Sequence, residues 1–106
     1  MITRAEELVL LAVWRLGENA YSVKIREQVM NVTSKFWSFG AIYMPLDRLV
    51  KRGLLESALT DPIPERGGRS KRIYTPTLDG LKALEEIKKI QEAAWDGLSN
   101  LTLGKA

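Results

Sequence analysis

The apolar positions of this chain fall into blocks with different periods. LVLLAVW (8–14) is apolar almost all round, wider than the single stripe a surface helix of a small domain usually buries. Thr3-Arg-Ala-Glu6 matches the S/T-x-x-E capping box and Gly17 is a stop signal, so a first helix is predicted up to about Leu16. Covering most of its circumference calls for a second chain; the alternative is one central helix wrapped by its own domain. Tyr21, Ile25 and Val29, then Val32, make a stripe on a second helix, with Lys24, Arg26, Glu27 and Asn31 opposite. Asn31 to Lys35 reads as a turn. Ser38 is placed to cap a third helix, which ends at Arg52 with Gly53 beyond it.

That third helix carries two faces and an anomaly. Ile42, Leu46 and Leu49 lie at i, i+4 and i+7, while Tyr43, Met44, Asp47, Arg48 and Lys51 point away from them. Pro45 falls inside, with no N–H for the Ala41 carbonyl; in a helix interior that loss and the ring clash cost ~3 kcal/mol. In the second turn of a helix whose start faces a partner, it marks the place where Tyr43 and Met44 are presented. Aromatic Phe36, Trp37 and Phe39 just before it are expected to pin the turn between helices two and three.

Leu54 to Thr60 and Lys71 to Thr75 read as strands around a loop, Asp61-Pro-Ile-Pro-Glu-Arg-Gly-Gly-Arg-Ser. Thr77 can cap a last helix running to about Leu98, with a frayed tail after it. The order helix, helix, helix, strand, loop, strand, helix is that of a winged helix-turn-helix. The expected fold is therefore α+β, mostly α. Three helices and a β-hairpin wing occupy residues 1–76, and a dimerisation helix with its tail occupies 77–106.

Composition narrows the chemistry. One domain is expected from 106 residues. The chain has no Cys and no His, which removes disulfides, thiolate and imidazole catalysis and zinc sites built from those ligands. No paired carboxylates or phosphate-binding loop are visible, so neither an enzyme nor a cofactor is expected. Acidic residues precede the apolar run at 8–14, and that run is too short to span a bilayer. A cytoplasmic protein without a membrane partner is expected.

A net charge of +3 permits a nucleic-acid partner, and its placement argues for one. ERGGRSKR (65–72) gathers Arg66, Arg69, Lys71 and Arg72 against Glu65, and Gly67-Gly68 frees the backbone at the tip. Cations on such an arm neutralise phosphates and release counterions; the alternative is a solubilising loop. The second helix of a helix-turn-helix pair enters the major groove with its N-terminal residues at base edges. The candidate contacts are Ser38, Gly40, Tyr43, Met44, Arg48 and Lys51 on that helix, and Arg66, Arg69, Ser70, Lys71 and Arg72 on the wing. Asp47 is expected to pair with Lys51 at i+4.

On the last helix Leu81, Ile87, Gln91, Ala94, Trp95 and Leu98 lie within about 80° of Leu84, at 100° per residue. This stripe needs a partner, and the first helix of a second subunit, through Leu8, Leu11 and Trp14, is the natural one. A symmetric homodimer is expected. Trp95 and Trp14 are either plain packing residues of that interface or stacking walls for a ligand.

LGENAYSVKI (16–25), AIYMPLDRLVKRGLLE (41–56) and RGGRSKRIYTPTLDG (66–80) together resemble the PadR family of bacterial winged-helix regulators. The resemblance spans roughly residues 5–90. It implies a homodimer on operator DNA, usually as a repressor, with contacts at Tyr43, Pro45, Gly67, Gly68 and Arg69. Some short relatives bind planar aromatic compounds between subunits, which implies an effector near Trp95. Pro76 departs from the family pattern, and the single last helix resembles its short branch. A pseudo-palindromic operator with half-sites ~34 Å apart would match the dimer. The rival expectation is a winged-helix module that binds another protein and no DNA.

Overall fold

The computed structural model describes residues 1–60 and 70–97. In chain order it contains α1 (Arg4–Leu16), α2 (Ser22–Thr33), α3 (Phe39–Lys51), β1 (Leu55–Leu59), β2 (Arg72–Pro76) and α4 (Leu78–Ala94). A 3-10 turn, Gly17–Asn19, joins α1 to α2. The strands pair antiparallel, from Leu55 opposite Pro76 to Leu59 opposite Arg72. This is the α+β, mostly helical, winged-helix arrangement expected from the sequence order.

The caps fall where the residue types place them. Thr3 Oγ1 accepts from Glu6 N at 3.1 Å, and Glu6 Oε1 accepts from Thr3 N at 2.8 Å, closing the capping box of α1. Gly17 ends that helix with φ 58°, a conformation costly for any residue with a Cβ. Ser38 Oγ accepts from Ala41 N at 3.1 Å to start α3.

The core is assembled around α1. Val9, Leu10, Ala12 and Val13 are buried against Ile25 and Val29 of α2, Ile42, Leu46 and Leu49 of α3, Leu55 of β1 and Tyr74 of β2. One chain thus covers most of α1, contrary to the expectation that this needed a second subunit. Two helices and both strands of the hairpin converge on one central helix, so its wide apolar surface is used internally. Leu11 and Trp14 stay exposed and Leu8 half-buried.

Several boundaries differ from expectation. Helix α2 continues through Asn31 to Thr33, whose Oγ1 donates to Val29 O at 2.8 Å, and the chain reverses at Ser34 with φ 56°. Val32 lies outside the buried stripe, 62% exposed. Strand β1 begins at Leu55, one residue late, because Leu54 O serves the next helix by accepting from Thr77 N at 3.1 Å. Pro76 sits inside β2 as its last residue, where a missing N–H is tolerated.

Thr77 launches α4. Its Oγ1 accepts from Gly80 N at 3.0 Å and donates to Gly53 O at 2.7 Å. Gly80 is buried beneath Leu54, and a Cβ there would collide with the Leu54 carbonyl oxygen. Backbone on backbone leaves nothing flexible to yield. This close approach directs α4 back over α1 of its own chain, where Gln91 Nε2 donates to Glu7 Oε2 at 2.8 Å. Its first partner is thus an intrachain one, where another subunit was expected.

Gly80→Ala tests this junction. The substitution should destabilise the fold by about 2 kcal/mol, as overpacking does, with Gly17→Ala, strained but open, as the comparison; urea unfolding measures both.

Candidate nucleic-acid interface

The position of α3 is set from behind. Glu6, buried in the first turn of α1, accepts from Arg48 Nε at 2.8 Å and from Arg52 Nη1 at 3.4 Å. Arg52 Nη1 also donates to Met1 O at 3.1 Å. Burial alone would raise the Glu6 pKa. The Thr3 N–H, the Arg48 hydrogen bond and the charges of Arg48 and Arg52 outweigh it and hold the carboxyl below its usual 4.5.

This geometry changes the roles expected of two residues on α3. Arg48 is half exposed, but its Nε is bonded to Glu6, so it holds the helix rather than offering a free cation to phosphate. Pro45 is buried on the side of Ile42 and Leu46 and does not belong to the outward face. Its ring fills core space, and the lost helical hydrogen bond is offset by that burial.

The outward face consists of Tyr43 and Met44, 49% and 62% exposed, followed by the expected Asp47–Lys51 pair at 2.9 Å. Ser38 and Gly40 are exposed at its start. Trp37 pins the preceding turn: its Nε1 donates to Thr33 Oγ1 at 3.0 Å and its carbonyl accepts from Arg26 Nε at 2.6 Å. Phe36 and Phe39 do not pack inward. They flank the Arg26 guanidinium, with ring centroids at 5.2 and 4.5 Å.

Ser70, Lys71 and Arg72 form the foot of the wing, whereas Arg66, Gly67, Gly68 and Arg69 lie outside the described residues. Lys71 Nζ stands 3.7 Å from the centroid of the Tyr21 ring, and Arg72 Nη1 donates to Ser57 Oγ at 3.0 Å. Tyr74 N donates to Ala20 O at 2.9 Å, so β2 is fastened to the entry of α2. As a result Tyr21, Ser22, Val23, Tyr43, Ser70, Lys71, Arg72 and Tyr74 surround one concavity. Tyr43 bridges it by donating from its hydroxyl to Ser22 Oγ at 3.2 Å. Sequence reasoning missed Tyr21, Ser22, Val23 and Tyr74 as members of this face. Tyr21 was assigned to a core stripe, and only the alternation within β2 carried a signal for Tyr74.

A second exposed feature lies on the far side of α1. Leu11, Trp14, Leu81, Leu84, Ile87 and Gln91 line most of an apolar groove of ≈ 450 Å³ between α1 and α4. Leu8 lies instead in a neighbouring groove, with Val32 of α2. Ala94 and Trp95 stand exposed beyond the lining, and Leu98 lies outside the described residues. Trp14 and Trp95 are thus not brought together within one chain. Among the described residues no cluster of acidic residues is arranged to hold a metal ion, and no helix is long and apolar enough to cross a membrane.

The arrangement has solved counterparts. A PadR-like transcriptional regulator from Bacillus cereus is 27% identical, with a TM-score of 0.74 over 94% of this chain and 92% of the other. A PadR family transcription regulator from Clostridium difficile is 26% identical, with a TM-score of 0.71 over 96% and 100%. A third, from Eggerthella lenta, shares the fold at 24% identity and a TM-score of 0.68 over 92% and 83%. No family model and no curated protein sequence matches the chain. The fold and the exposed α3 face define the class of winged-helix transcription regulators, which are not enzymes. Within that class the chain is similar to the PadR-family regulators from Bacillus cereus and Clostridium difficile.

Replacing Glu6 tests the anchor of α3. Glu6→Gln should cost about 2 kcal/mol near neutral pH, a value kept low because both guanidiniums are partly hydrated. The folded-state pKa lies below the unfolded one, so the parent chain has this contribution in full above 4.5 and loses it as pH falls through the lowered value. Urea midpoints should therefore differ between parent and variant at neutral pH and converge in acid.

Proposed function

We propose that the chain represses transcription as a homodimer on a pseudo-palindromic operator, in the bacterial cytoplasm. The observation that carries this is that Tyr43, Lys71 and Arg72 line one concavity beside the exposed Met44, with α3 anchored from behind by Glu6. The solved counterparts bear transcription-regulator names, which supports a DNA partner.

In this reading Tyr43 and Met44 meet base edges, with Ser38 and Gly40 at the point of entry. The wing from Arg66 to Arg72 contacts the DNA backbone or the minor groove. Residues 77–106 form the dimerisation segment, and the α1–α4 groove with Leu11, Trp14 and Ile87 accepts the partner's last helix. Trp95, exposed at the end of α4, stacks in the same interface. A planar aromatic effector between subunits would bind one spacing of the two α3 helices better than the other and shift the population off DNA. The groove volume suits such a ligand.

Light scattering after size exclusion at micromolar concentration should return twice the 11.9 kDa chain mass, and Leu11→Glu should return the monomer. Gel shift on the promoter of its own operon should show a salt-sensitive complex. A parent chain that is monomeric, or that shifts no duplex at low salt, would sink this reading in favour of a protein-binding module.

A further inference from the structure

The concavity between the start of α2, α3 and the foot of the wing is lined by hydrogen-bond donors, several of which have no acceptor among the described residues. Tyr74 is only 6% exposed, and its hydroxyl makes no hydrogen bond to any described residue. No buried side-chain oxygen or nitrogen is left without a partner among the described residues, so this hydroxyl opens onto the concavity that Tyr74 lines. Burial pushes the Tyr74 phenol up, Arg72 opposes this, and Tyr43 and Asp47 add to it. The group is therefore a neutral O–H donor at ordinary pH.

The start of α2 faces the same space. Tyr21, at its cap position, makes no side-chain capping bond, and the first-turn amides of Ser22 and Val23 have no intrahelical acceptor. Ser22 Oγ already accepts from Tyr43, which leaves its own proton to donate. Lys71 and Arg72 supply positive charge on the opposite wall, with Lys71 steadied over the Tyr21 ring. Asp47, whose charge is felt by Tyr74, is paired with Lys51 and does not line the space.

We propose that this concavity seats a backbone phosphate of DNA. Ser22, Val23 and Tyr74 act as neutral donors and Lys71 and Arg72 as the charges. A phosphodiester offers only acceptor oxygens and one negative charge, the complement of this lining. The contact is sequence-independent and fixes how deeply α3 enters the groove. It rests on the DNA-binding reading above and adds Tyr74 and the entry of α2 to the interface.

The test uses a random-sequence duplex, because the contact carries no sequence information, and the full chain. Affinity is measured across a salt series, with a melting temperature for each variant. Tyr74→Phe keeps the buried ring and removes a hydroxyl that has no partner among the described residues. It should leave the melting temperature unchanged, weaken binding roughly tenfold, as loss of a hydrogen bond to a charged group does, and preserve the salt slope. Lys71→Gln should lower the slope by about 1. Parent-like affinity in Tyr74→Phe, or a parent-like slope in Lys71→Gln, would overturn the phosphate seat and leave DNA binding standing. No binding by the parent chain at low salt would overturn both together.

Discussion

The buried carboxylate of Glu6 ties the two ends of the helical core together. It closes the capping box of α1 and receives Arg48 and Arg52 from α3, so one side chain both starts the central helix and orients the helix that faces outward. Removing a charge from water is costly, and it persists here because three donor contacts surround it and the guanidiniums stay partly hydrated. The outward face of α3 is then set by packing and ion pairing together. Ile42, Pro45, Leu46 and Leu49 fill the core beneath while Arg48 and Arg52 fix the rotation about the helix axis.

The neighbouring residue on α1 does similar work for the other exposed feature. Glu7 accepts from Gln91 of α4 and from Arg4, holding the last helix against the first. Consecutive acids on one turn thus hold α3 and α4, so the outward face and the apolar groove share a foundation one residue apart. Gly80 sets the remaining degree of freedom, the direction in which α4 leaves the hairpin.

How much of this could be read from residues alone varies with the range of the interaction. Caps were legible because they are local: Thr3, Ser38 and Thr77 each bond an amide three residues on. The buried face of α3 was legible from its period. The outward face was legible only in part, since a helical wheel places Pro45 and Arg48 without saying what meets them. Arg48 looked free because its partner is far away in sequence. Tyr74 and the start of α2 went unseen for the same reason, as a backbone bond from Tyr74 to Ala20 brings them together.

Residue type, spacing and capping chemistry determined by themselves the order of elements, the capped starts of α1, α3 and α4 and the winged-helix class, because helix and strand signals act over a few residues. Tertiary structure alone decided which polar groups are free. Arg48 is engaged by Glu6, Pro45 belongs to the core, α4 folds back on its own α1, and the donors of α2, α3 and β2 share one concavity. Each of these depends on a pairing between distant segments. The free energy of such a pairing comes from burial and ion pairing across the fold, which no local pattern encodes.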